Sequence, residues 1–222
     1  MNGFDLMPFI LSFKLAFTVT LLLFVICVPL ALVITFSKFH GHALIESLLT
    51  LPMVLPPTVM GFYLLIAFSP RFPLGGFLDR TLGLRIAFSF TGIVIASCIH
   101  SLPFMIQPLK NGFLSLPPDI IEASYTLGRT RLETLVHVIL PNSMAAIATG
   151  IIMTFVHVMG EFGVILMLGG SIPGVTRVAS IALYESVEAM DYGVANRYAM
   201  VLVAISLCAV FLVSRFRQKG AA

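Results

Sequence analysis

Residues Leu116 to Pro141 read LPPDIIEASYTLGRTRLETLVHVILP. Most of the chain is apolar, and this is its longest interval bearing polar residues. The pattern predicts two short helices outside the lipid. Pro117 and Pro118 open the first, since proline suits the first helical turn and breaks what precedes it. Asp119 and Glu122 fall in that turn, where the helix dipole favours negative charge. Gly128 supplies a C-terminal stop. Thr130 restarts the chain, and Thr130-x-x-Glu133 fits a capping box. Leu132, Leu135, Val136 and Ile139 then give the second helix one apolar face. Pro141 marks the junction with the next hydrophobic run.

The sequence around this interval is that of a membrane protein. Of 222 residues, 59% are hydrophobic and 10% charged, and the mean hydropathy is +1.04. A soluble domain carries roughly 25% charged residues. The net charge of +3 and the lack of a basic run interleaved with aromatics give no reason to invoke nucleic acid. Cys27, Cys98 and Cys208 all lie in apolar runs and read as packing residues, with no spacing for zinc or a disulfide framework.

Five runs are long enough to span about 30 Å of hydrocarbon, or nearly so. They are Leu15–Ser37, Ser47–Pro70, Ile86–Leu109, Asn142–Leu168 and Tyr198–Ser214. A sixth would form if the opening stretch Phe4–Phe13 turned back. Lys14 and Lys38 bracket the first run, which lacks the basic start and small-residue cleavage site of a signal peptide. Pro52, Pro56 and Pro57 should break the second run. Either that break lines a protein interface or water path, or the prolines lie at the surface and merely start the helix. Val178–Tyr184 is too short to cross, and reads as a helix at the membrane face or packed in the bundle. The expected organisation is one membrane unit over 11–214, with the polar loop at 110–141 and a basic tail at 215–222. Charge alone does not orient it. Lys38, Lys110, Arg129, Arg131, Arg215, Arg217 and Lys219 would lie on the loop side, against Lys14, Arg71, Arg80, Arg85, Arg177 and Arg197 opposite. Only the uncompensated tail leans toward a cytoplasmic loop.

No soluble-enzyme constellation is present: no Gly-x-Ser-x-Gly, no His-Glu-x-x-His and no Walker A loop. Catalytic, cofactor-binding and metal-ligating residues are therefore expected to be none. His100, His157 and Glu161 are the polar residues within spans, and such groups are functional candidates by default. His157 and Glu161 are four apart, so they could share a helix face. They read as a proton relay, as a structural pair, or with the glutamate turned to protein or water.

Glu122-Ala123-Ser124, three residues, Gly128, nine residues, then Val138-Ile139-Leu140-Pro141 resembles the EAA loop of ABC-importer permeases. That pattern reads Glu-Ala-Ala, x3, Gly, x9, Ile-x-Leu-Pro, so Ser124 and Val138 depart from it slightly. Gly160-Glu161-Phe162-Gly163 and the following Gly169-Gly170-Ser171-Ile172-Pro173-Gly174-Val175-Thr176-Arg177 look like the permeases of molybdate importers. Ser171 stands where that family usually has Asn. Tyr184 and Asp191-Tyr192-Gly193 also fit the broader oxyanion-importer permeases.

The resemblance implies an all-α, multi-pass permease of the type I (MetI-like) architecture in the bacterial inner membrane. It would carry an oxyanion by alternating access, with molybdate the first choice. The alternatives are tungstate or sulfate, or a proton-coupled secondary carrier. The implied partners are ABC ATPase subunits, a periplasmic oxyanion-binding protein, a second copy in a homodimer, and membrane lipid. ATP hydrolysis would come from the partner. Glu122, Ala123, Ser124, Gly128 and Pro141 are the expected ATPase-coupling residues. Pro56, Pro57, Thr58, Gly160, Glu161 and Gly163 are the pathway candidates, and Arg71 and Arg177 the candidates for docking the binding protein.

Overall fold

A computed structural model describes residues 4–37 and 40–219. Lys38 and the last three residues of the basic tail lie outside the described residues, as do the side chains of Arg217 and Lys219. Every regular element among the described residues is helical. Three helices are long and apolar enough to cross a membrane alone: α1 (Met7–Phe36), α5 (Phe90–Leu114) and α12 (Tyr192–Lys219). Two bent pairs bring the number to five if each counts as one span. The first joins α2 (His42–Val54) to α3 (Pro57–Phe68) at 109°, and the second joins Arg131–Asn142 to α9 (Met144–Gly160) at 70°.

The opening stretch does not turn back to make a sixth span. α1 starts at Met7, with Pro8 in its first turn, and runs on to Phe36. Lys14 therefore lies inside the helix rather than before it. Its ammonium sits 4.6 Å from the Phe90 ring centroid, a cation–π contact that keeps the charge partnered.

The α2–α3 break follows from local chemistry. Leu55 precedes Pro56, and Pro56 precedes Pro57, so both are pushed out of helical conformation. Their ψ angles are 137° and 130°. The chain turns there and α3 restarts with Pro57 in its first turn.

α5 forms the middle of the bundle and packs against α1, α9, α2 and α10 (Gly163–Gly169). Leu15, Val19, Leu23 and Cys27 of α1 meet Ile93, Met105, Leu109 and Phe113 of α5 in the main core. The short helix α11 (Ala179–Glu188) packs into the bundle, with Ala179, Ser180, Ile181 and Ala182 buried. Polar ties close both ends. At one end His42 Nε2 lies 2.8 Å from Ile34 O, and Glu46 pairs with Lys110. At the other, the Tyr198 hydroxyl donates to Asp5 O at 2.8 Å and the Ala179 N–H to Ser12 Oγ at 2.9 Å. Phe88 N also donates to Leu168 O there, at 2.9 Å. The Leu116–Pro141 loop emerges at the Glu46–Lys110 end, and α4 (Pro73–Leu82) lies at the opposite end.

Candidate functional site

The polar loop folds as two helices clamped together. α6 (Pro118–Thr126) ends at Leu127, and Gly128 turns the chain at φ +81°. Thr130 then caps α7 (Arg131–Thr134) with both halves of the capping box formed. The Glu133 carboxylate accepts from Thr130 N and Thr130 Oγ1, each at 2.8 Å. These donors hold its pKa below the ordinary carboxylate value. The cap is thus complete above that ordinary value and weakens as pH falls through the lowered one.

Ser124 and Thr134 are buried, and their hydroxyl oxygens lie 2.9 Å apart. This bond fastens α6 to α7. Ser124 consequently points into the helix pair and not outward, whereas Glu122, Ala123, Tyr125 and Leu127 face outward. The sequence offered a hint in Ser standing at an Ala position, but its partner ten residues on is visible only in the fold.

The expected apolar face of the second helix is corrected in part. Leu135 and Ile139 pack on the core as expected, but Leu132 and Val136 are exposed, at 69% and 48%, and the fully buried positions are Thr134 and Ile139. The helix widens into a π turn at Leu135–Ile139 before α8 (Leu140–Asn142). Pro141 has no N–H for the carbonyl one turn back, and its ring would crowd that turn. The wider turn accommodates it. A π turn takes one extra residue, so the buried positions fall five apart instead of four.

A second break lies between α9 and α10, with no proline to cause it. Glu161 is extended there, at φ −66° and ψ 131°. Tertiary partners hold it. Glu161 Oε1 lies 3.0 Å from His100 Nδ1, and Ser180 Oγ donates to Glu161 O at 2.6 Å. The expected His157–Glu161 pairing on one helix face does not form, because α9 ends at Gly160 between them. His157 Nε2 instead lies 3.2 Å from His100 Nδ1, and its ring stacks on Phe104. His100 is the pivot, within reach of both. Its Nδ1 can donate one proton to Glu161 or accept one from His157, but not both at once.

The two breaks meet. A Cβ at Gly163 would stand 3.1 Å from Pro57 Cβ and 3.4 Å from Thr58 N, and one at Gly61 would come within 2.7 Å of Met167 Cβ. Small residues thus let α3 and α10 cross closely. Pro56, Pro57, Thr58 and Gly160 are exposed, while Glu161 and Gly163 are buried. Three of the pathway candidates, Pro57, Thr58 and Gly163, thus meet at one junction, and Pro56, Gly160 and Glu161 lie within three residues of it in the chain.

Arg71 and Arg177 differ in surroundings. Arg71 lines an open groove with Phe72, Phe77 and Arg80. Arg177 gives its guanidinium to Glu185, with Nε 2.6 Å from Oε2, and Glu185 also accepts from the Ser171 hydroxyl. The Arg177–Glu185–Ser171 cluster holds the 170–178 loop against α11, a role the sequence did not suggest.

With this geometry in place, similarity to known proteins is informative. A family model described as binding-protein-dependent transport system inner membrane component matches residues 27–219. The chain is 38% identical over 215 residues to the molybdenum transport system permease protein ModB of Azotobacter vinelandii, covering 96% of this chain and 95% of that one. It is 30% identical over 190 residues to the sulfate transport system permease protein CysT of Salmonella typhimurium, covering 86% of this chain and 68% of that one. Among solved structures, an inward-facing MetNI methionine ABC transporter matches with a TM-score of 0.74 at 16% identity, over 99% of both chains. That match bears on the fold, which is the type I ABC-importer permease architecture.

Proposed function

The chain belongs to the family of binding-protein-dependent transport system inner membrane components, and from that premise we propose that it carries molybdate across a bacterial inner membrane as the permease subunit of an ATP-driven importer. The observation that carries the substrate is the 38% identity to ModB across nearly the whole of both chains. The chain supplies the passage and not the hydrolysis, which falls to ABC ATPase subunits on the loop side.

The ATPase docks on the outward face of α6, where Ile120, Tyr125 and Leu127 are exposed beside Glu122 and Ala123. A push on α6 passes through the Ser124–Thr134 bond to α7. It continues through the π turn and α8 around the 70° bend into α9. The far end of α9 is the Glu161 break, and Gly163 just beyond it packs on the start of α3. Coupling surface and pathway are thus linked by one run of chain and two contacts.

The pathway runs past Pro56, Pro57 and Thr58, where the first-turn N–H groups of α3 have no intrahelical acceptor. A helix N-terminus attracts an oxyanion without a fixed cation that would hold a dianion too firmly. A second copy faces this chain across that surface, making a homodimer. The exposed apolar side chains of α2 and α3, among them Leu48, Leu51, Met53, Val59 and Phe62, support such a cover. A periplasmic oxyanion-binding protein docks at the opposite end from the loop. Arg71 serves there with its charge free of any acidic partner among the described residues, and Arg177 contributes through the loop it positions.

Sulfate is the second reading, favoured by the 30% identity to CysT. Uptake into proteoliposomes holding the permease, its ATPase and its binding protein separates the two. Molybdate uptake should need ATP and should survive a large excess of sulfate. Uptake of sulfate with molybdate excluded would reverse the assignment while leaving family and fold intact.

A further inference from the structure

The side of the bundle away from α3 carries an apolar groove. α1 and α12 both pack on α9, and a groove of about 620 Å³ opens between them. Leu21 and Phe24 form one wall, Phe155 the floor, and Cys208 and Leu212 the other wall. Among the described residues, Thr20 is the only hydroxyl-bearing one in the lining. α12 is barely covered by the rest of the chain: 6% of its membrane window is buried, against 61% for α5.

The groove has a charged end. On α12 the wall recurs at Ala204, Cys208 and Leu212, and Arg215 follows one turn later on the same face. Its guanidinium lies 5.9 Å from the Phe211 ring centroid. Among the described residues it enters no salt bridge. An apolar trough ending in an unpaired guanidinium, at the point where a spanning helix leaves its apolar run, matches the chemistry of a phospholipid.

We infer that this groove is a binding site for a phospholipid with an anionic headgroup, one acyl chain lying along the trough and the phosphate held by Arg215. A guanidinium fork meets phosphate oxygens bidentately. A net-negative headgroup is preferred because a zwitterionic one brings its own cation to the same place. An apolar protein helix is a poorer occupant because it offers nothing to the Arg215 guanidinium at the end of the groove, whereas a lipid phosphate does. The inference needs only a membrane-spanning chain and does not depend on the transported anion.

The chain has no tryptophan, so a single reporter is unambiguous. Leu21 is 52% exposed, so Leu21→Trp should fold. The full-length variant in liposomes is titrated with phosphatidylglycerol brominated on its acyl chains, and separately with phosphatidylcholine brominated alike. Quenching by the anionic lipid should reach half-maximum at a roughly fivefold lower mole fraction, the increment one basic residue gives toward an anionic surface. Arg215→Gln should bring the two curves together, while Arg215→Lys should keep part of the gap. Equal quenching in the parent reporter would overturn the headgroup preference. A gap that survives Arg215→Gln would overturn the role of Arg215. No quenching by either lipid would mean protein covers the groove, and the site would be wrong altogether.

Discussion

The Ser124 hydroxyl is buried against Thr134, so it belongs to the joint between α6 and α7 and not to the docking face. Ser124→Ala removes one partner and leaves the Thr134 hydroxyl buried alone, which costs about 1–3 kcal/mol. Adding Thr134→Val removes the orphan, so the double variant should recover part of the loss. Thermal unfolding of the purified variants, read as a double-mutant cycle, checks this; additive losses would mean the bond carries no energy. Gly128 sets the other constraint. At φ +81° an L side chain costs about 1–2 kcal/mol, and a β-branched one is worse placed still. No atom lies within 4 Å of a Cβ built there, so the cost of Gly128→Val is conformational and not a clash. That variant should keep normal membrane levels but lose uptake relative to ATP hydrolysis. Normal uptake at normal levels would remove Gly128 from the coupling assignment.

At the scale of elements, what the sequence made legible is what local chemistry decides. Pro56 and Pro57 forbid helix at the residues before them, so the α2–α3 break could be foreseen. Gly128, Thr130 and Glu133 likewise write their turn and cap into neighbouring positions. The α9–α10 break was not legible, because His100 and Ser180 hold it from 61 and 19 residues away. The π turn was missed for a different reason: an apolar pattern read at helical period assumes a constant period, and Pro141 changes it. These two breaks lead to a prediction for α3. If its start lines the pathway, cysteines placed singly over positions 58–63 should react with a small charged thiol reagent. Their rates should differ between nucleotide-free and ATP-trapped complexes. The native Cys27, Cys98 and Cys208 would first be replaced, since Cys208 is exposed. Uniform protection in both states would take α3 out of the pathway.

For the whole molecule, the two ends carry different electrostatics. At the loop end Glu46 lies between Lys110 and His42. At the opposite end Asp79 pairs with Arg85 and Glu185 with Arg177, while Arg71 and Arg80 share an open groove. Docking through exposed charges should weaken with salt, because they are screened over about 8–10 Å near physiological ionic strength. Arg71→Glu should therefore reduce stimulation of ATPase activity by the binding protein, mostly at low salt, and leave basal hydrolysis unchanged. Arg177→Glu should act differently, since it also places like charge beside Glu185. Its loss should persist at high salt because the loop itself is displaced. Stimulation of both variants at the parent level, at low and high salt, would remove these arginines from docking.

The bond from Tyr198 to Asp5 joins residues 193 apart in sequence, and the aromatic group around it contains Phe4 and Phe9. A chain made at about 5–20 residues per second delivers the second partner roughly 10–40 s after the first. Throughout that interval the start of α1 has left the ribosome with its aromatic face uncovered, while α1 and α5 can already join. The start of α1 is therefore closed only when α12 arrives, and α12 acts as the latch. A ribosome that stalls before Tyr198 releases a molecule whose earlier helices can pack but whose first turn has nothing to close against.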